Sequence, residues 1–176
     1  RFKSGRAHFI IQFKMEEGSK EFINKYKELS KKYKLPSMKE LNFEFEIIDI
    51  IKEKNVSPSY PLRYIRRMMV NLFYGWTNYL HNFIMPNPQS IILVKESEAF
   101  NDEQKTRVSK LISEIMFINR ISAKLDLEYD EKKDAEFIKK YFKEWSTLKK
   151  LLLDFAEINM QSWEKEMPGE KGSYFG

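Results

Sequence analysis

Residues Met68 to Met85 read MMVNLFYGWTNYLHNFIM, eighteen residues without a formal charge in a chain whose composition is 32% charged. They follow Pro61-Leu-Arg-Tyr-Ile-Arg-Arg67 directly. So apolar a stretch has to be buried, in the protein's own core or in something else. Its length is near the lower limit for a membrane span. Asn71, Thr77, Asn78, His81 and Asn82 interrupt it, however, and ordinary charged sequence flanks it. It therefore reads as a core helix, and no membrane is expected as a partner. Pro61 suits a first helical turn, and Pro86 with Pro88 stops continuation, which places this helix at about 60–84.

Working outward from it, the flanking segments also read as helices. Phe22, Tyr26, Leu29 and Tyr33 lie on one face of a helix over about 16–33, with Lys20, Lys27, Lys31 and Lys34 on another. Pro36 ends it. Residues 37–54 fit two patterns. Leu41, Phe43, Phe45 and Ile47 alternate with polar residues as in a strand, whereas Met38, Leu41, Phe45, Ile48 and Ile51 make a helical stripe. The helix accounts for more residues, and Ser37 with Glu40 supplies a capping box, so one helix is expected here. Downstream, Val108, Leu111, Ile115 and Ile118 mark a helix from Asn101 or Asp102 to about 125. Asp130 caps a last helix over about 131–166, with the stripe Phe137, Tyr141, Trp145, Leu148, Leu152, Phe155 and Asn159. That helix would be about 54 Å long, so a kink, an early end or a protruding end is expected.

The expected fold is therefore all-α: a single-domain bundle of about five helices around the apolar helix at about 60–84. A basic arm is expected at 1–7, the helical domain at 8–166 and a loose tail at 167–176. The partly alternating residues 8–13 and the short apolar run 91–94 are the two places where a minor extended segment would fit.

Composition narrows the function. At 176 residues, with 42% apolar and 15% aromatic content, the chain can bury a core without staples. Zero cysteines excludes disulfides, thiolate metal sites and a cysteine nucleophile, and fits a cytoplasmic protein. No charged-then-apolar leader with a small-residue cleavage site opens the chain, so no signal peptide is expected. Net charge is +5, unevenly distributed: residues 1–36 hold ten Lys/Arg against four Glu, and the remainder is nearly neutral.

Several constellations could carry chemistry. Arg1, Lys3, Arg6, Lys20, Lys27, Lys31, Lys34 and Arg66 are the residues expected to meet nucleic-acid phosphate, with Tyr60 and Tyr64 near Arg66. The bland counterpart is a solvated lysine face. Arg63, Arg67, Asn71, Asn78 and His81 form a polar row on the apolar helix, facing Asn42, Glu46, Asp49 and Glu53 on the helix before it. Antiparallel pairing would set Glu53 beside Arg63 and Asp49 beside Arg67, either as a register-fixing ladder or as a slot holding a phosphate or carboxylate. Glu46, Asp49 and Glu53 are also the candidate magnesium ligands, since hard cations take carboxylate oxygens. Glu46-Ile-Ile-Asp49 resembles half of the ExxE…ExxD pattern of all-α nucleotide pyrophosphatases; no ExxE precedes it, which leaves the pattern incomplete. Neither histidine has a glutamate three residues before it, as a di-iron carboxylate bundle would need. Trp163, at the end of the last helix, is the expected exposed contact for a protein partner or a second copy.

Two functions of different class follow. The first is a non-catalytic helical assembly module, an accessory subunit holding nucleic acid through its basic N-terminal third. The second is a metal- or phosphate-dependent hydrolase using the polar slot. Without a convergent nucleophile and base, the non-catalytic function leads, and no resident cofactor is expected.

Overall fold

The computed structural model describes residues 4–54 and 59–165, and the side chains of 18–52 and 59–165. Among these the protein is all-α, as expected of a helical bundle: α1 (Ser4–Tyr33), α2 (Met38–Phe45), α3 (Ile47–Lys54), α4 (Pro61–Ile84), α5 (Ile91–Glu98), α6 (Asp102–Leu127) and α7 (Glu131–Glu164). No described helix is long and apolar enough to cross a membrane.

Caps set most of the boundaries. Ser37 Oγ accepts from the Glu40 N–H at 3.2 Å and Glu40 Oε2 accepts from the Ser37 N–H at 2.7 Å, the reciprocal box read from sequence. Asn101 and Gln104 make the same exchange at the head of α6, both bonds 2.9 Å. Asp130 Oδ1 accepts from the Lys132 and Lys133 N–H groups at the head of α7. At the end of α1, Lys34 takes the left-handed conformation (φ 54°) and the Leu35 N–H reaches Ser30 O at 3.0 Å, a Schellman closure.

Three expectations change. Residues 8–13 lie inside α1, which begins at Ser4, so residues 4–7 of the anticipated basic arm are helical as well. A short apolar run does not separate strand from helix, and no proline interrupts Ser4 to Tyr33. Residues 91–94 are the first turn of α5, because Ser90 Oγ accepts from the Leu93 N–H at 3.4 Å and nothing downstream breaks the turn.

The helix expected over 37–54 divides at Glu46, which is left-handed (φ 51°, ψ 32°). Leu41 and Phe45 bury one stripe of α2, and Ile47 and Ile51 bury one stripe of α3. In a single helix the step from Phe45 to Ile47 would turn about 200°, sending one pair outward. The break re-registers the chain so that both pairs face the core. Asn42 makes it possible: its Oδ1 accepts from the Ile48 N–H at 2.6 Å, capping α3 from the preceding helix.

The helices gather into two compact units, and α4, α6 and α7 each contribute residues to both. The first unit comprises residues 1–73 and 119–143. Its core includes Phe22, Tyr26, Leu41, Ile47, Ile65 and Met69. The Phe45 ring meets Phe73 edge-on at 6.0 Å. Tyr26 is buried, and its hydroxyl donates to Pro36 O at 2.6 Å, tying α1 to the turn before α2; burial, helped by the charge of Glu40, pushes that phenol well above its usual range.

The second unit comprises residues 74–118 and 144–176. Leu80, Phe83, Phe100, Val108, Leu111, Ile115, Leu152 and Phe155 fill its core, with Phe83 and Phe100 stacked at 4.3 Å. Ser97, buried, donates to Phe83 O at 2.8 Å and holds α5 against the end of α4.

Helix α4 is buried along one side in each unit rather than all round. Arg67, Asn71, Tyr74, Asn78 and His81 repeat at helical spacing and are exposed. Helix α7 is continuous from Glu131 to Glu164, about 51 Å long. Every member of its expected stripe, from Phe137 to Asn159, is buried.

Candidate functional site

The basic residues divide sharply by what they touch. Lys20, Lys27 and Lys31 lie on one exposed face of α1, and Lys34 follows its last residue, also exposed. The helical positions fall within about 40° of one another. None of the four makes an ion pair among the described residues. Lys32, by contrast, pairs with Glu131 at 3.0 Å, and Tyr33 donates to the same oxygen at 2.8 Å. These two hydrogen bonds hold the Glu131 carboxyl below its usual range and outweigh its partial burial. The side chains of Arg1, Lys3 and Arg6 lie outside the described residues.

Arg66 does not belong to that surface. It is fully buried, and it corrects the expectation of a phosphate contact. Its Nε donates to Asp134 Oδ1 at 2.6 Å, Nη1 to Ser122 O at 2.8 Å and to Ser122 Oγ, and Nη2 to Asp126 Oδ1. Asp134 is only 1% exposed; burial pushes its carboxyl above the usual range, against the pull of Arg66. Asp126 is shared. Arg67 Nε lies 3.0 Å from its Oδ1 and Arg63 Nε 3.5 Å away. Partial burial would raise the Asp126 carboxyl, but the hydrogen bonds and charges of Arg66 and Arg67 prevail and hold it low. Arg63 also lies over the Tyr129 ring at 5.1 Å.

The anticipated ladder between the 37–54 segment and α4 is therefore not what engages the arginines. Arg63 and Arg67 turn to Asp126 of α6, while Asp49 is exposed on the re-registered α3 and the Glu53 side chain lies outside the described residues. Asp126 and Ser122 went unread in the sequence, although spacing places Ser122, like Arg66 and Asp134, on a buried face. Arg66 is four residues after Leu62 and seven before Phe73, on the buried face of α4. Asp134 is three residues before Phe137, on the buried stripe of α7, and Ser122 is four after Ile118.

A cleft of about 510 Å³ does open between the α2–α3 break and α4. Of the slot residues, Arg67 and Asn71 line it, with Tyr64, Glu44, Glu46 and a set of apolar side chains. Asn78 and His81 are exposed on the part of α4 that belongs to the second unit. No group of three or more acidic or histidine side chains that could hold a metal occurs among the described residues; the side chain of Glu53, the third candidate magnesium ligand with Glu46 and Asp49, lies outside them.

Trp163, expected as an exposed contact, is half-buried. Its Nε1 donates to Glu96 Oε1 at 3.2 Å, and Lys95 Nζ lies 4.6 Å from its ring centre. Asn159 donates to the same glutamate oxygen at 3.2 Å, so the end of α7 is fastened to α5 within the second unit. No family model, curated protein or solved structure matches the chain.

Proposed function

We propose that this protein is a non-catalytic, cytoplasmic helical module that assembles with other macromolecules and holds nucleic-acid phosphate along α1. The observation that supports this most is the separation of its cations. Arg63, Arg66, Arg67, Lys32 and Lys133 lie against acids of their own chain. Lys20, Lys27, Lys31 and Lys34 are instead exposed, and none of them makes an ion pair among the described residues. Ammonium groups carried along one helix face suit a phosphate backbone, which is bound by charge and counterion release rather than by sequence. Lys27 and Lys31 are one helical turn apart, about 6 Å along the axis.

The phosphate-slot alternative draws less from the geometry. Arg67, the cation in the cleft, is already engaged with Asp126, which it shares with Arg63 and Arg66, and Glu46 also lines the cleft and repels an anion.

Fluorescence anisotropy with labelled single- and double-stranded DNA and RNA at low salt tests the proposal. The wild-type protein is expected to bind, and the triple variant Lys27→Glu, Lys31→Glu, Lys34→Glu to bind at least about tenfold more weakly with unchanged helical content. Undetectable binding by the wild type, or equal binding by the variant, rejects it.

A further inference from the structure

We infer that the exposed face of α1 enters the major groove of double-stranded DNA, where the Asn24 side-chain amide reads a base edge between lysines that hold phosphate. This builds on the phosphate-binding role proposed for α1 and names its substrate class and a residue that selects sequence. Asn24 is exposed, and among the described residues it makes no hydrogen bond. Around the helix it lies about 20–60° from Lys20, Lys27 and Lys31. Along the axis it is about 6 Å from Lys20 and about 4.5 Å from Lys27, inside the row. The contacts that hold α1 are on its other side. Phe22, Tyr26 and Leu29 are buried about 140–160° away from Asn24, with Phe22 meeting the Tyr64 ring at 5.8 Å and Tyr26 donating to Pro36 O at 2.6 Å. The Asn24 face is therefore turned away from the core of the first unit. A helix about 10–12 Å across matches a major groove about 12 Å wide. A carboxamide carries a donor and an acceptor in one plane, which pairs with adenine N7 and N6 in that groove; an ammonium carries donors only. Glu21 and Glu28, both exposed, border the face about 40–60° beyond Asn24. Their repulsion of phosphate lowers the sequence-independent affinity, so the base contact carries more of the binding. The deep, narrow major groove of an A-form helix closes this mode to double-stranded RNA.

The test selects a randomised DNA duplex library on the full chain and compares the enriched duplex with a scrambled one by fluorescence anisotropy. The wild-type protein is expected to bind the enriched duplex at least about tenfold more tightly than the scrambled one. Asn24→Ala is expected to bring that ratio close to one while binding the scrambled duplex within about twofold of the wild type. Alanine is the better helix former at an exposed helical position, so the fold is kept. Replacing the adenines of the enriched site by 7-deazaadenine, which removes the N7 acceptor from the major groove, is expected to weaken the wild type about tenfold and leave Asn24→Ala unchanged. DNA binding without enrichment, a ratio that Asn24→Ala preserves, indifference to 7-deazaadenine, or tighter binding of duplex RNA than of the enriched DNA would each overturn the groove-reading role and leave the phosphate-binding role standing. Undetectable binding to any nucleic acid at low salt would overturn both.

Discussion

Arg66 and Asp134 show how one buried pair governs a region. A guanidinium with no exposure needs its partners, since a charge stranded in the interior is costly while an apolar replacement of the pair is not. Arg66→Ala is therefore expected to destabilise the protein by about 3–5 kcal/mol, and the double change Arg66→Met, Asp134→Leu to recover most of that loss; denaturant titration of the three proteins checks both. Gly75 carries the opposite lesson. A Cβ there meets nothing within 4 Å, so the helix bears the entropic cost of glycine without a steric reason. Gly75→Ala is expected to raise stability by about 0.5–1 kcal/mol, read as a higher melting temperature.

Among the elements, the α2–α3 break is the feature that residue spacing obscured. Leu41, Phe43, Phe45 and Ile47 alternate because a helix stops and restarts between Phe45 and Ile47, not because a strand forms. The decisive interaction is the Asn42 side chain on the Ile48 N–H, a contact from side chain to backbone six residues away that no periodicity encodes. Asn42→Ala is expected to cost about 1 kcal/mol by removing that cap, measurable by chemical denaturation. Periodicity did suffice where one face is buried over many turns: the stripe of α7 and the face of α6 from Val108 to Ile118 are both buried as read. The head of α7 adds a pH dependence. Glu131 is held below its usual range by Lys32 and Tyr33, so the stability it contributes is present above the unfolded value and is lost as pH falls through the folded one. Glu131→Gln should melt below the wild type near neutral pH, with the gap closing below about pH 4 when melting temperature is followed against pH.

For the molecule as a whole, helix content, helix order and most boundaries were legible in the pattern of apolar residues and caps, whereas the fate of each charge was not. Arg66 reads as surface in composition yet lies in the core, and Asp126, remote in sequence, gathers three arginines from the start of α4. With those cations assigned to acids, the α1 lysines stand as one exposed basic face among the described residues. The central claim is electrostatic, and salt dependence measures it most directly. With four lysines engaged on duplex, the plot of log Kobs against log salt should have a slope of about −3.6, falling to nearly zero when Lys20, Lys27, Lys31 and Lys34 are all changed to glutamate. A wild-type slope near zero, or a slope the fourfold variant leaves unchanged, would contradict the claim.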